Sequence, residues 1–191
     1  MNSKEYEIIM KARELFKTGE KEEIEEALEL LEDLASKKSR FAVYELARLY
    51  YEGIYIEKNI KKAFNLFVYS GELGNTKAYY DAGMIFYDNK DYKNAKRYFE
   101  QAKYSSFAKL KLGEMAIKGE GMRASKHQAF LYFSEASKLG NPDADYLVSE
   151  CYLTGSGIKM DFQKGKFYLN KALRKGVEDK LNLKEKTKSK I

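Results

Sequence analysis

Among 191 residues there are one proline, one cysteine (Cys151), one histidine (His127) and no tryptophan. Each shortage removes a class of protein. With 13 glycines and a single proline the chain is neither collagen-like nor a proline-rich linker. One cysteine excludes an intramolecular disulfide framework and a cysteine-based zinc site. One histidine excludes every multi-histidine metal site and leaves a single candidate for histidine-based catalysis. No stretch approaches the ~18 consecutive apolar residues of a membrane span. Charge interrupts the first twenty residues throughout, so the apolar region of a secretory leader is missing. These absences point to a cytoplasmic protein and away from an enzyme.

What is present is equally informative. Hydrophobic residues make up 44% and charged ones 34%, too apolar for a wholly disordered chain and suited to a globular or helical-repeat protein. Lysine outnumbers arginine 29 to 6, and 16 tyrosines stand beside 11 phenylalanines, a bias that suggests an AT-rich, bacterial genome.

Self-similarity runs along the chain. Ala42, Ala78, Ala108 and Ala144 align. Four residues on come Leu46, Ala82, Leu112 and Val148, each followed by a small residue (Ala47, Gly83, Gly113, Ser149). Three further on lie Tyr50, Phe86, Ala116 and Tyr152. After a loop a second small position recurs at Ala63, Ala95, Ala129 and Gly165, with Leu66-Phe67, Tyr98-Phe99, Tyr132-Phe133 and Tyr168-Leu169 three and four residues later. Ser70, Ala102, Ala136 and Ala172 close each unit. These spacings place apolar and small residues on one face of each of two helices per unit. The small positions let the two helices cross near the close end of the usual ~8–10 Å range. Gly53, Gly119 and Gly155 fall where first helices end and a left-handed cap is wanted. Gly74-Asn75 and Gly140-Asn141-Pro142 read as a terminating glycine, an N-cap asparagine and, once, a proline at the first helical position. Residues 1–41 read as a fifth, degenerate copy with an acidic second helix, a polar outer surface suited to a terminal cap.

Stretches such as AVYELARLYYEGIYI (42–56), KKAFNLFVYSGELGN (61–75), AKLKLGEMAIKGEGM (108–122) and ADYLVSECYLTGSGI (144–158) resemble the Sel-one-like repeat (SLR) family, a relative of the tetratricopeptide repeat. The unit from Ala78, AYYDAGMIFYDNKDYKNAKRYFEQA, resembles a plain tetratricopeptide repeat. The resemblance implies an all-α fold: a right-handed α-solenoid of about five antiparallel helix pairs with first helices lining a concave surface. One solenoid over 1–178 is expected, with units near 6–41, 42–77, 78–107, 108–143 and 144–178, followed by a basic tail at 179–191. It also implies a non-enzymatic adaptor that holds a protein or peptide. Many secreted members staple each pair with a disulfide, for which this chain lacks the cysteines.

In the tetratricopeptide scheme, residues two before and two after the leucine of the Leu-Gly pair face the concave groove. The first row is Met10, Tyr44, Tyr80, Leu110 and Tyr146; the second is Glu14, Arg48, Met84, Glu114 and Glu150; Lys17, Tyr51, Tyr87, Ile117 and Leu153 lie one turn on. Tyrosine, methionine and arginine favour partner contacts, since tyrosine offers a rigid surface and one hydroxyl. The competing reading is that several tyrosines pack between successive first helices. Tyr44, Tyr80 and Tyr146 are the favoured binding residues.

Other motifs have simpler readings. Gly119-Glu120-Gly121 and Gly155-Ser156-Gly157 have no preceding strand and no following Gly-Lys-Ser/Thr, so they are turn glycines rather than phosphate loops. His127 and Cys151 lack the neighbours that catalysis needs and read as structural or surface residues. Asp81, Asp88 and Asp91 read as a solvated face rather than a metal site. No cofactor and no metal are implied. The chain is expected to be a monomer or weakly self-associating, without membrane contact. A basic nucleic-acid-associated protein is the alternative, from a pI near 9.0. The +6 net charge is unevenly spread: residues 1–40 carry −3, residues 41–158 +2 and residues 159–191 +7. That polarity weakens the nucleic-acid reading and would let the protein orient a partner or stack end to end.

Overall fold

A computed structural model describes residues 3–178. It contains ten α-helices and, among the described residues, no strand: α1 (Ser3–Thr18), α2 (Lys21–Ser36), α3 (Arg40–Glu52), α4 (Ile60–Glu72), α5 (Thr76–Asp88), α6 (Tyr92–Gln101), α7 (Ser106–Lys118), α8 (Lys126–Lys138), α9 (Pro142–Thr154) and α10 (Phe162–Arg174). The expected basic tail at 179–191 lies outside the described residues. The chain divides into two compact units between Asn89 and Lys90, the first holding α1–α5 and the second α6–α10.

Within the first unit, α1 packs on α2, α3 on α4, and α2 and α4 each pass their other side to the next helix. Short connections between packed neighbours make each pair antiparallel. The small positions of the repeat carry the crossings: Ala12, Ala27, Ala42, Ala47, Ala63, Ala78 and Ala82 are all fully buried. Larger residues fill the space on either side, Ile9, Phe16, Leu31, Leu34, Leu46 and Leu49 forming one cluster. A fully buried leucine or phenylalanine contributes roughly 1.5–3 kcal/mol, so the alternation of small and large residues supplies both proximity and stability.

The second unit repeats the scheme through α7·α8 and α9·α10, with α6 against α7 and α8 against α9. Here glycine holds two of the crossings. A Cβ built on Gly113 of α7 would strike the Phe133 ring of α8, and one on Gly165 of α10 would strike Leu153 of α9. Glycine at these points is a packing requirement, because the Phe133 ring lies against the Gly113 backbone and the Leu153 side chain against that of Gly165.

Helix ends follow local chemistry. Ser39, Asn59, Asp91, Ser105, Ser125, Asn141 and Asp161 each accept a hydrogen bond from the amide three residues on. Such a cap contributes about 1 kcal/mol. Gly53, Gly119 and Gly155 adopt the left-handed conformation as C-caps. Asn75 departs from the sequence expectation: it makes no side-chain cap. Its amide instead donates to Ser70 Oγ at 3.2 Å, and that hydroxyl donates to the Arg40 carbonyl at 2.6 Å. A buried polar relay to α3 has taken the side chain that capping would have used.

The second glycine of each Gly-x-Gly pair has two reasons to be glycine. Gly121 and Gly157 have φ of 66° and 78°. A Cβ on Gly121 would meet the Tyr92 backbone at the start of α6, and one on Gly157 the Lys126 backbone at the start of α8. The loop after each first helix therefore lies directly on the preceding second helix. Gly157→Ala should lower stability by more than the ~1–2 kcal/mol of left-handed strain, because main-chain atoms must also move. Gly140→Ala, with φ of 90° and open space around it, should cost only the strain. Urea unfolding of both variants would check the difference.

Candidate functional site

Each unit contains a groove between successive first helices, floored by a phenylalanine of the second helix between them. In the first unit, Tyr44, Arg48, Tyr51 and Glu52 of α3 face Asp81 and Met84 of α5 across Phe67 of α4, around a cavity of about 230 Å³. In the second, Glu114, Ile117 and Lys118 of α7 face Leu147, Glu150 and Cys151 of α9 across Phe133 of α8, with Lys126 and Ser156 at the rim, around about 370 Å³. Phe67 and Phe133 occupy the same repeat position and are almost fully buried. The floor is common to both grooves and the rims differ.

Of the residues expected to face a partner, the first groove gathers Tyr44, Arg48, Tyr51 and Met84, and the second gathers Glu114 and Glu150. Met10, Tyr80, Tyr87 and Leu110 are half-buried on their own helices and line neither cavity. Leu110 packs against the α8–α9 cluster. Tyr44 and Tyr146 are only 8% and 7% exposed, so they mainly pack. Tyr146 lies in a cluster with Leu169 and Ala172, whereas Tyr44 reaches its groove by an edge. Of the three favoured tyrosines, Tyr44 and Tyr146 sink deeply while Tyr80 stays half-buried.

The first groove is electrostatically tied together. The Tyr44 hydroxyl donates to Asp81 Oδ2 at 2.8 Å. Burial, then the charge of Asp81, pushes the Tyr44 phenol far above its ordinary range. Burial also raises the Asp81 carboxyl, against the Tyr44 bond and the charges of Lys77 and Arg48, which lower it. Arg48 binds Glu52 at 2.6 Å and lies 3.8 Å from Glu45. Burial and the nearby Asp88 and Asp81 raise Tyr51. Reading Asp81 as part of a solvated face was therefore wrong: it is a half-buried acceptor on the next repeat's first helix. Asp91 serves elsewhere, capping α6.

In the second groove, Lys111 holds Glu114 at 2.7 Å. Burial, followed by Glu150, pushes the Cys151 thiol up to about 11, so it carries almost no thiolate at neutral pH. His127 is exposed at the start of α8, its Nδ1–H donating to the Gly157 carbonyl at 2.8 Å. That bond ties α8 to the loop after α9. Among the described residues no three His, Cys, Asp or Glu side chains gather as a metal site, and no helix is long and apolar enough to cross a membrane.

Sequence reasoning missed Asp145. It is fully buried on α9, where Ser137 donates to it at 2.5 Å, Lys171 at 2.6 Å and Lys175 at 3.3 Å. The available signal was an aspartate at a buried register position beside Ala144, with lysines one turn apart on the helix to follow. The arrangement pins α10 to α8 and α9.

Ten helices among the described residues, small residues at the crossings within each unit and a groove between first helices define an α-helical repeat protein. More particularly, the chain belongs to the Sel1 repeat family, whose model matches residues 41–75, 76–105, 106–141 and 142–177. The matched frames begin one or two residues before the alanine-anchored units, and α1 and α2 lie outside them. Similar structures include a Sel1 repeat protein from Oxalobacter formigenes (TM-score 0.73, 23% identity, 80% of this chain and 64% of that one). Another is a protective antigen of uropathogenic Escherichia coli displaying an SLR fold (TM-score 0.69, 25% identity, 86% of this chain and 37% of that one). A component of an ERAD-associated E3 ubiquitin-protein ligase from Arabidopsis thaliana, HRD3B, is 28% identical over 104 residues, 51% of this chain. The chain spans about 16% of that relative's length. These likenesses carry the solenoid fold, and Sel1 repeat proteins generally act as non-enzymatic scaffolds for protein–protein interaction.

Asp81→Asn keeps an acceptor for the Tyr44 hydroxyl and removes the cost of burying a charge. Because the folded-state carboxyl is raised, wild-type protein gains stability as pH falls through that raised value. Asp81→Asn should therefore be the more stable near pH 7, and its advantage should shrink on acidification. Thermal melts of the two proteins across that pH range would check the sign. Lys171→Met with Lys175→Met leaves Asp145 buried with only Ser137, and should cost about 3–5 kcal/mol in chemical denaturation.

Proposed function

We propose that this chain is a non-enzymatic interaction scaffold that holds a protein or peptide in the grooves between successive first helices. The observation that carries this reading is the pair of repeat-related grooves, each with the same buried phenylalanine floor and a different set of rim side chains. A shared floor gives apolar contact area, and a variable rim gives discrimination through charges and hydroxyls. In the first groove the rim is aromatic and acidic around Arg48; in the second it is aliphatic, with two glutamates and two lysines. An extended segment or a helix with side chains spaced to reach the floor fits such a site. In the second groove burial holds Cys151 as a thiol, which makes it a poor nucleophile at neutral pH.

A bacterial regulatory or immunity role is one specific form of this proposal, with the effector held in the grooves. A cytoplasmic setting suits it, as the lone Cys151 is buried and unbridged.

Tyr51, Met84 and Ile117 contribute to groove surface without filling the core, so they are the residues to change. In affinity capture from the native host, followed by titration of the captured partner, Tyr51→Ala/Met84→Ala/Ile117→Ala should weaken binding at least tenfold, with unfolding unchanged within ~1 kcal/mol. Unaltered affinity in the folded triple variant would reject the grooves as the binding surface.

A further inference from the structure

We propose that two copies of this chain associate, the acidic outer face of α2 in one copy docking on the basic outer face of α10 in the other.

The two helices hold the same place in their repeats. Each turns its small and apolar residues inward: Ala27, Leu31 and Leu34 on α2, and Gly165, Leu169 and Ala172 on α10. The opposite faces are solvent-exposed, and they are charged with opposite sign. Over its 16 residues α2 carries seven carboxylates and a single lysine. Over its 13 residues α10 carries four cationic side chains and no carboxylate. Among the described residues Glu22, Glu29 and Glu32 on α2 enter no ion pair, nor do Lys166 and Arg174 on α10. By contrast Lys171 is committed to Asp145.

The α10 face also has an apolar anchor. Phe167 is 64% exposed and borders a shallow cavity of about 360 Å³ with Asn170, Lys171 and Arg174. Glu29 stands where Phe167 stands in its repeat, two residues past the small crossing position, with Glu32 one turn on. Residues three apart on a helix lie about 5–6 Å from one another, so Glu29 and Glu32 form one acidic pair that can meet the unpaired Arg174 beside Phe167. The methylenes of the glutamates can lie on the phenyl ring while their carboxylates reach the cations around it.

Complementarity of this kind selects a second copy, since each face finds its match on the same chain. Copies with a net charge of +6 repel at long range. Within the ~8 Å Debye length at physiological salt, the local pairing outweighs that repulsion. Exposed ion pairs are individually weak, so the association should be weak and salt-sensitive. The two faces differ, and the contact either closes into a dimer or continues into longer chains.

Sedimentation of the full chain up to about 1 mM, at low and high salt, tests this. Wild-type protein should self-associate at about 0.05 M salt, with a constant at least about tenfold smaller at about 0.5 M. Reversing α10 (Lys166→Glu with Arg174→Glu) or α2 (Glu29→Lys with Glu32→Lys) should leave a monomer whose thermal unfolding shows it folded. An equimolar mixture of the two reversed proteins should associate again, because each then presents what the other lacks. A dimer or a longer series of species would both support the contact. A wild-type monomer at both salts, unchanged association in either reversed protein, or no recovery in the mixture would overturn it. So would a monomer that gains mass only when duplex DNA is added.

Discussion

The close approach of each first helix to its second helix is the constraint on which the rest of this structure depends. Alanine and glycine hold the crossing points, and where the approach is tightest, at Gly113 under Phe133, even a methyl group would not fit. Fixing that distance fixes the rotation of each helix about its axis. It follows that Tyr44, Arg48 and Tyr51 share a stripe along α3, and that Glu114 and Ile117 occupy the corresponding stripe on α7. The grooves are thus a by-product of core geometry: a helix that must present alanine to one neighbour has no freedom left in what it presents to the next.

This explains why some features were legible in the sequence and others were not. Helix number, pairing, most caps and the glycine turns follow from local rules, each settled within three or four residues. Asn141 caps α9 as its place after Gly140 and before Pro142 implies, because the amide it needs is three residues away. Phe67 and Phe133 were recognised as packing residues, but their second role as groove floors depends on the first helix of the following repeat. Asp81 and Asp145 were misread or missed for the same reason. Their partners, Tyr44 for one and Lys171 with Lys175 for the other, are separated from them by 26 to 37 residues. A pattern of apolar periodicity says which face is buried, but not which rare polar group on that face will find a counter-charge. Asn75 shows competition between the two levels, a favourable local cap yielding to a tertiary relay through Ser70.

These buried polar links add what apolar packing alone lacks. Alanine-lined crossings of similar shape recur along the chain and would tolerate sliding by a turn. A Tyr44–Asp81 bond between α3 and α5, a Ser70–Arg40 bond between α4 and α3, and the Asp145 cluster joining α8, α9 and α10 are each satisfied in one register only. Leaving a buried carboxylate without its partner costs several kcal/mol, while shifting an alanine contact costs little. Polar pairs therefore specify the register that the hydrophobic repeat merely permits. Tyr44 and Asp81 also line the first groove, so there the residues that set register also set the shape of the surface.

Division of labour within each repeat then has a functional consequence. Crossing residues cannot vary without altering the approach of the helices, and cap residues cannot vary without loosening helix ends. Variation is left to the groove rims and to the outer faces of the second helices, where the side chains do differ most between repeats. At one outer position the chain carries glutamate in α2, asparagine in α4, arginine in α6, leucine in α8 and phenylalanine in α10. At the matching rim position of the first helices, Arg48 stands in α3, Met84 in α5 and glutamate in both α7 and α9. A protein whose only demand were stability would have no reason to segregate charge by helix, acidic in α2 and basic in α10, when mixed charges hold a surface in solution equally well. Segregated charge instead orders how other molecules, including another copy, approach the two helices, while the phenylalanine floors common to both grooves supply contact area that charge alone does not.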